Sequence, residues 1–420
     1  MKILVVGGGG REDALAAKLR ADRPDSDLFV APGNPGTMRW ATNVPIAAHD
    51  VASLARFAAS ESIDLTVVGP EQPLAAGVAD VFDDLGIPVF GPTAAAARLE
   101  SSKAFAKDLM RRHGIPTAGF ERFTDFGLAA SHVSRLTPPI VVKASGLAAG
   151  KGALICESAE DAEHVLRHML LDGHYGEAGL EVVIEDFLVG SELSVFFLAD
   201  GERAFPMGTA RDHKRRFEGD LGPNTGGMGA FSPVGGLDSG LVARVQAEIA
   251  EPVLRAMAAE GCPYRGFLYA GLMLTADGPK VIEFNCRLGD PETQVVLPLL
   301  VSDLVEPMHA IARGERLDDW RAQTRGGSAL VTVVVSEGYP GAVTKGRPIE
   351  FAPELEAEAL TLFHAGTATE DGVLVTAGGR VAGVTALAPT LAEAGEQSRL
   401  GAAAVLFEGA AWRADIGTSG

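Results

Sequence analysis

The chain has 420 residues, more than the roughly 100 to 200 of an ordinary domain, and this length predicts three or four modules. An apolar fraction of 47% excludes a disordered polar chain, and 51 glycines indicate many tight loops. Lys and Arg total 36 against 55 Asp and Glu, and the formal net charge of −19 argues against nonspecific binding to nucleic acid or an anionic membrane.

Cysteine spacing and hydropathy indicate a cytoplasmic protein. Cys156, Cys262 and Cys286 lie far apart and form no C-x-x-C pair, which suits a reducing compartment. No apolar run reaches the ~18 residues of a membrane-spanning helix, and the first residues lead into a short strand without a signal-peptide core. We therefore expect a cytoplasmic protein with no nucleic-acid or membrane partner.

Short apolar runs alternate with helix-like stretches through residues 1–101, which predicts an open parallel α/β sheet. The ligands of such sheets bind at the carboxyl ends of the strands, where this sequence places loops rich in Gly and Pro. We therefore predict an N-terminal substrate-binding domain. The predicted strands cover 2–6, 28–31, 64–68 and 87–90, and the loops follow at 7–10, 32–36, 69–71 and 91–92.

Three further modules follow in the chain. A helix from about 102 to 112 begins a catalytic domain at 102–119, which resumes in long β runs at 191–325. The intervening stretch 120–190 contains strands, a Gly-rich loop and a helix, and we interpret it as a small lid. Residues 326–420 are predicted to form a mostly β C-terminal domain. The fold class is thus multidomain, α/β in its first part and α+β afterwards.

The run 281–287 carries the most informative polar pattern. Because side chains alternate faces along a strand, Glu283, Asn285 and Arg287 project to one side and the apolar residues between them to the other. Two oxygen ligands followed by a guanidinium suit Mg²⁺ on phosphate oxygens beside an anionic substrate. A solvated edge strand is the alternative.

The segment that follows has two interpretations. Asp290 before Pro291 could cap the helix that runs to Leu300. Alternatively, amides at that helix start could bind an anion beside the metal. The residues alone do not decide between the two.

A Gly-rich loop lies between Lys143, at a strand end, and Lys151. Its backbone could approach phosphates closely while the lysines offset their charge. The spacing is not that of a Walker A loop, because Gly146 and Gly150 are only four apart and Gly152 follows Lys151. A solvated hairpin is the alternative.

Two later segments give weaker signals. Glu185, Phe187 and Leu188 end a strand and precede Glu192, a mixture of apolar and acidic groups that could hold a nucleoside. The long loop 209–230 combines a basic cluster with a Gly-rich stretch, and a loop of that length is usually functional or mobile. A solvated charge run is the alternative, and His213 has no companion ligands at zinc spacing.

The N-terminal glycines invite a dinucleotide-binding interpretation, which fails. A G-x-G-x-x-G pattern counted from Gly7 and Gly9 meets Glu12 where the third glycine should stand. Arg11 at the start of a helix is better suited to a single phosphate.

Together these segments resemble the ATP-grasp ligases, and within them the phosphoribosylamine–glycine ligase family. The similarity runs through most of the chain, and its most specific part is Arg287-Leu288-Gly289-Asp290-Pro291-Glu292. The other matching motifs lie at 10–12, 31–34, 68–71, 102–105, 146–152, 212–214, 223–230 and 413–417.

The resemblance implies an activity in purine biosynthesis. ATP, with Mg²⁺ or Mn²⁺, would activate glycine as glycyl phosphate, and the amine of 5-phosphoribosylamine would then displace phosphate. We also expect a monomer. Another ATP-grasp carboxylate–amine ligase, a carboxylase, or a metabolite-binding protein without turnover are the alternatives.

The resemblance also assigns roles to individual residues. Those implied in catalysis are Lys143, Asp212 and Arg287, and those implied in metal binding are Glu283 and Asn285. ATP would contact Lys103, Lys143, Lys151, Glu185, Phe187, Leu188 and Glu192. The substrates would contact Gly10, Arg11, Glu12, Gly33, Asn34, Gly36, Thr37, Pro70, Glu71, Asp212, Lys214, Asn224, Thr225, Arg287 and Asp290.

Two positions depart from the family pattern. Asp13 stands where the family commonly has His, and it would add negative charge near a phosphate site if it faced the ligand. Ser145 stands where the family often has Asp before the Gly-rich loop, and we expect this change to matter less.

Overall fold

The computed structural model describes residues 1–148 and 150–418. The N-terminal domain contains strands β1 (Lys2–Gly7), β2 (Asp27–Pro32), β3 (Thr42–Asn43), β4 (Leu65–Val68) and β5 (Val89–Phe90), with helices α1 (Gly10–Asp22), α2 (Val51–Glu61), α3 (Glu71–Ala75), α4 (Val78–Asp84) and α5 (Ala94–Ser101). The strands form one parallel sheet in the order β3-β2-β1-β4-β5. Ile3 to Val6 are fully buried, as expected where helices cover both faces of a parallel sheet. The predicted open α/β sheet is confirmed.

Helix α6 (Lys103–His113) connects this domain to the rest of the chain. Ser102 caps it, since its hydroxyl accepts a hydrogen bond from the Phe105 amide at 3.2 Å. Gly114 ends it in the left-handed conformation, with φ of 67°. The predicted helix at about 102–112 is confirmed.

The lid is a four-stranded antiparallel sheet with two helices on one side. It contains β6 (Phe120–Phe123), α7 (Phe126–Val133), β7 (Ile140–Ala144), β8 (Ala153–Cys156), α8 (Ala159–Leu170) and β9 (Val182–Asp186), and its strand order is β6-β9-β7-β8. Its buried apolar residues, among them Val142, Leu166 and Ile184, form a core of their own. The segment therefore has an apolar core of its own, and its role as a lid remains a prediction.

The next part of the chain, which we call the floor, continues with long antiparallel strands. It contains β10 (Ser191–Asp200), β11 (Ala204–Asp212), β12 (Arg215–Phe217), β13 (Leu221–Asn224), β14 (Gly229–Ser232), α9 (Leu241–Val245), α10 (Glu251–Ala259), β15 (Arg265–Thr275), β16 (Gly278–Asn285), α11 (Thr293–Leu299) and α12 (Val305–Ala312). The hairpin of β12 and β13 stands apart from the main sheet.

The C-terminal segment joins that main sheet. It contains β17 (Ser328–Val335), β18 (Glu350–Phe351), β19 (Leu360–His364), β20 (Thr367–Glu370), β21 (Val373–Thr376), β22 (Arg380–Ala388), α13 (Leu391–Ala403) and β23 (Val405–Leu406). Strand β17 pairs with β14, so eight strands form one sheet in the order β16-β15-β10-β11-β14-β17-β22-β19. The sequence did not predict this continuity. None of the helices in the described ranges combines the length and apolar character that crossing a membrane requires.

Candidate active site

A cleft of about 600 Å³ lies where the N-terminal domain, the lid and the eight-stranded sheet meet. Most residues to which the sequence assigned a role line it. These are Arg11, Pro70, Glu71, Lys103, Lys143, Glu185, Phe187, Leu188, Glu192, Asp212, Lys214, Asn224, Thr225, Glu283, Asn285, Arg287 and Asp290. Segments up to about 280 residues apart in the chain therefore share one cavity.

Glu283 and Asn285 lie on β16 at the floor of the cleft. Within the described chain, the Glu283 carboxylate accepts no side-chain hydrogen bond and forms no ion pair, although Lys103 and Lys143 line the same cavity. A half-buried carboxylate and a neighbouring amide oxygen are hard donors of the kind that Mg²⁺ uses together with phosphate oxygens. The residues present therefore fit a magnesium site.

A buried cation–anion–cation cluster forms the wall beside this floor. Glu185 accepts from Lys107 at 2.8 Å and pairs with Lys143 at 2.9 Å, and all three side chains are at most 4% exposed. Burial opposes ionisation of Glu185, but the two lysines hold the pKa of its carboxyl below the ordinary value. Burial lowers the pKa of Lys107 to about 8.

Lys107 was missed by the sequence reasoning. It lies one helical turn after Lys103 on α6, and residues four apart share a helix face. The spacing of four residues from Lys103 was the signal in the sequence by which Lys107 could have been found. The sequence predicted that Glu185 lies beside adenosine. The structure shows that it also pairs with Lys107 and Lys143.

A second charged group lies at the end of β11. Lys214 contacts Asp212 at 2.7 Å and Glu192 at 3.0 Å. Burial alone would lower the pKa of Lys214, but the two carboxylates raise it well above the ordinary value. This lysine is therefore a fixed cation in the cleft.

Glu292 lies next to this group. Tyr269 donates to its carboxylate at 2.9 Å, and the Ser194 hydroxyl lies 2.8 Å from the tyrosine oxygen. Burial, with the neighbouring Asp212 carboxylate, raises the pKa of Glu292 to about 7. A buried carboxyl that titrates near neutrality is typical of functional sites.

Arg287 lines the cleft together with two carboxylates. Its guanidinium lies 2.9 Å from Glu100 and 3.3 Å from Glu71, and it donates to Asn285 at 3.2 Å. These carboxylates fix the orientation of the arginine next to Asn285. Glu100, on α5, was not predicted, because an acidic residue near a helix end has no distinctive sequence signal.

Asp290 does not cap the helix after it. Helix α11 begins at Thr293 without a side-chain cap. The Asp290 carboxylate instead accepts from Gln294 at 2.7 Å and from Arg380 at 3.0 Å. The N-cap interpretation is therefore wrong, and the cation that balances Asp290 comes from β22.

The two remaining lysines differ in position. The ammonium of Lys103 reaches the Gly146 carbonyl at 3.3 Å, which places it beside the Gly-rich loop. Lys151 does not line the cleft, because its ammonium donates to the Pro340 carbonyl at 2.9 Å. Ala149, in the predicted Gly-rich loop, lies outside the described residues.

The loop predicted to hold a substrate at 33–37 does not line the cleft. The Asn34 amide donates to the carbonyls of Gly8 and His364 at 3.0 and 2.9 Å, and its oxygen accepts from the amides of Gly36 and Thr37. Gly33, with φ of 70°, supplies the left-handed turn of this loop. Substrate binding by this loop remains a prediction.

Gly10 and Glu12 are also outside the lining of the cleft. The Glu12 carboxylate accepts from the Gly9 amide and from Arg11, both at 2.6 Å. Glu12 thus closes the first turn of α1 and orients Arg11, which does line the cleft.

Asp13 does not line the cleft. It is fully buried and accepts hydrogen bonds from Arg39, Trp40 and the His364 amide at 2.9, 2.9 and 2.7 Å. Burial raises the pKa of its carboxyl, and these donors oppose the shift. Through these contacts Asp13 joins the N-terminal and C-terminal parts of the chain.

Ser145 joins the lid to α6. Its hydroxyl accepts from the Ala104 amide at 3.2 Å, and its carbonyl accepts from the Lys103 amide at 2.8 Å. These contacts hold Lys103 in place at the lid boundary.

Two antiparallel sheets, the lid and the floor, enclose the cleft. Lysines and the oxygen donors of Glu283 and Asn285 line it together. This arrangement defines an ATP-grasp enzyme. The chain matches the phosphoribosylglycinamide synthetase family in three consecutive segments, the N domain at residues 1–100, the ATP-grasp (A) domain at 101–293 and the C domain at 329–419. The chain therefore belongs to this family.

Two relatives are similar in sequence over nearly the whole chain. A phosphoribosylamine–glycine ligase from Vibrio vulnificus is 48% identical over 420 residues, which cover 99% of this chain and 98% of that protein. The trifunctional purine biosynthetic protein adenosine-3 from Homo sapiens is 46% identical over 419 residues, which cover 99% of this chain and 42% of that protein.

Solved structures show the same fold. The crystal structure of phosphoribosylamine–glycine ligase from Thermotoga maritima has a TM-score of 0.87 at 34% identity and covers 99% of this chain and 100% of that one. A biotin carboxylase from Campylobacter jejuni has a TM-score of 0.75 at 16% identity, covers 100% of this chain and 94% of that one, and shows the fold alone.

Proposed function

We propose that this protein uses ATP to join glycine to 5-phosphoribosylamine, giving glycinamide ribonucleotide, ADP and phosphate in purine biosynthesis. The observation that carries the proposal is the meeting of Glu283, Asn285, Arg287 and the lysines Lys103 and Lys143 in one cleft. Full-length identity to phosphoribosylamine–glycine ligases selects this reaction among those of the fold.

The first step would activate glycine. A carboxylate oxygen of glycine attacks the γ-phosphorus of ATP, the bond to the ADP oxygen breaks, and glycyl phosphate forms. Lys103 and Lys143 would offset the phosphate charge, and Arg287, oriented by Glu71 and Glu100, would hold the glycine carboxylate. Mg²⁺ on Glu283 and Asn285 would neutralise charge on the phosphates.

The second step would form the amide. The amine nitrogen of phosphoribosylamine attacks the carbonyl carbon of glycyl phosphate, phosphate leaves, and the nitrogen gives up a proton. The acyl phosphate hydrolyses readily, so closure of the lid over the cleft would protect it from water. Arg11 and Asp290, at the end of the cleft next to the N-terminal domain, would position the aminosugar.

The nucleoside would lie between lid and floor. Phe187 and Leu188 would supply apolar walls for adenine, and Glu192 an acceptor for the ribose hydroxyls. We further expect that Mn²⁺ can replace Mg²⁺, and that the protein acts as a cytoplasmic monomer.

Omission of single substrates tests the proposed function. Purified protein with Mg²⁺, ATP and freshly prepared phosphoribosylamine should release ADP only when glycine is added. Other amino acids and bicarbonate serve as controls. ADP release that is indifferent to glycine would overturn the proposal, and release that depends on bicarbonate would indicate a carboxylase.

A further inference from the structure

The lid carries a cluster of histidines that the proposed reaction does not use. Three of the nine histidines fall within eleven residues, His164 and His168 on α8 and His174 in the loop after it. Asp172 lies between the last two. His164, Asp172 and His174 are exposed and His168 is partly buried, so the cluster is open to solvent.

The side chains of these four residues converge. The Nε2 atoms of His164 and His168 lie 2.8 Å apart, and Nδ1 of His168 lies 2.9 Å from a carboxylate oxygen of Asp172. The rings of His168 and His174 stack with centroids 4.6 Å apart. One potential ligand atom each of His168, Asp172 and His174 lies within 4.8 Å of the others.

We propose that His164, His168, Asp172 and His174 form a binding site for a divalent transition-metal ion of the zinc and cobalt class. Imidazole nitrogens with one carboxylate are ligands that such ions prefer over Mg²⁺. Two histidines one turn apart on a helix present nitrogens to the same ion. A tetrahedral ion at about 2.0–2.1 Å from two nitrogens holds them about 3.4 Å apart, so His164 and His168 need to separate only slightly.

The backbone around the cluster is already arranged to hold it. The amides of Asp172 and His174 donate to the carbonyls of Arg167 and His168 at 3.1 and 3.2 Å, which fold the loop back onto the end of α8. The Asp172 carboxylate lies 2.9 Å from Nδ1 of His168, so it is already close to the histidine with which it would share the ion. The loop therefore holds Asp172 and His174 beside the end of α8.

The site is separate from the magnesium position. The segment after His174 supports the Gly-rich loop from outside the cleft, since the Gly146 amide donates to the Ala178 carbonyl at 3.1 Å. None of the four ligands lines the cleft. The inference does not rest on the proposed function.

Metal titration of the full chain tests the site. Chelator-treated protein is titrated with Co²⁺ in excess Mg²⁺, which would occupy the proposed site at Glu283 and Asn285. Both the binding heat and the visible d–d absorption of Co²⁺ are recorded. We expect one equivalent of Co²⁺ to bind and Zn²⁺ to displace it. In a His168→Gln/His174→Gln variant the affinity should fall at least about tenfold, with loss of the absorption band.

Two further variants control for folding. His49→Gln removes an exposed histidine elsewhere and should bind Co²⁺ like the unmodified protein. Asp172→Asn keeps the size of the side chain and should weaken binding on its own. Equal Co²⁺ affinity and spectra in the double variant and the unmodified protein would overturn the proposal, as would the absence of Co²⁺ binding by the unmodified protein.

Discussion

Arg380 and Asp290 form an ion pair of 3.0 Å across 90 residues of chain. The same guanidinium donates to the carbonyls of Asp290 and Gly226, both at 2.6 Å. Burial alone would raise the pKa of the Asp290 carboxyl. The positive charges of Arg380 and Arg11 hold this pKa below its ordinary value. A residue of the C-terminal segment therefore completes the wall of the cleft.

Replacement of Arg380 by Gln should impair the enzyme. Asp290 would lose its cation, and the loop at Gly226 would lose a donor. We expect kcat/KM for phosphoribosylamine to fall about tenfold to a hundredfold, as for loss of a charge-assisted hydrogen bond. Arg347→Gln, which removes an exposed pair with Glu408 in the same segment, should change it little. Equal effects of the two substitutions on kcat/KM would show that Arg380 has no specific role in the site.

Lys107→Met should weaken ATP binding. Glu185 would keep only Lys143 as its cation, and the remaining pair would draw Lys143 toward Glu185 and away from the phosphates. We expect KM for ATP to rise about tenfold, since loss of one charged partner costs about 1.5–3 kcal/mol. Arg111→Met, on the exposed side of the same helix, is the matched control. An unchanged KM for ATP in Lys107→Met would contradict the assigned role.

Glu283→Ala should bind the aminosugar but turn over very slowly. Loss of the carboxylate removes the oxygen donor that we assign to Mg²⁺, and kcat should fall roughly a hundredfold or more. The control is Asp277→Ala, which removes an exposed carboxylate from the same β hairpin. Rates should be measured over a range of Mg²⁺ concentrations. Unchanged turnover in Glu283→Ala would refute the metal assignment.

Glu292→Gln should alter how stability depends on pH. Because the pKa of Glu292 is raised to about 7 from 4.5, the folded protein binds a proton more tightly than the unfolded chain. This proton stabilises the folded protein below about pH 4.5, and the stabilisation is lost as pH rises toward 7. The loss is about 1.4 kcal/mol for each unit by which folding raises the pKa of Glu292. Glutamine cannot ionise, so the variant should lack this loss.

Urea unfolding at several pH values between 5 and 8 measures the effect. The free energy of unfolding of Glu292→Gln should rise relative to the unmodified protein as pH increases. Glu306→Gln, at an exposed position of α12, provides the reference. A difference between variant and unmodified protein that does not change with pH would show that Glu292 does not titrate in this range.

The sequence predicted much of this architecture because its signals are local. The apolar runs of β1 and β4, and the alternation that places Glu283 and Asn285 on one face, depend only on neighbouring residues. The family motifs then supplied further site residues, and the structure brings most of them into one cleft together with Lys107, Glu100 and Arg380, which the sequence did not predict.

Contacts between distant segments could not be predicted in the same way. Pairing of β14 with β17 and the position of Arg380 depend on tertiary packing that no local pattern encodes. Asp13 shows the same limit, since only the structure reveals that Arg39 and the His364 amide donate to its carboxylate.

The most direct test of the proposed reaction traces the carboxylate oxygen of glycine into the released phosphate. Glycine labelled with ¹⁸O in its carboxylate is supplied with ATP and fresh phosphoribosylamine, and the released phosphate is examined by mass spectrometry. Activation as glycyl phosphate transfers one carboxylate oxygen, so each amide formed should yield one ¹⁸O-labelled phosphate. Unlabelled phosphate, or ADP released without an amide product, would contradict the proposed ligase reaction.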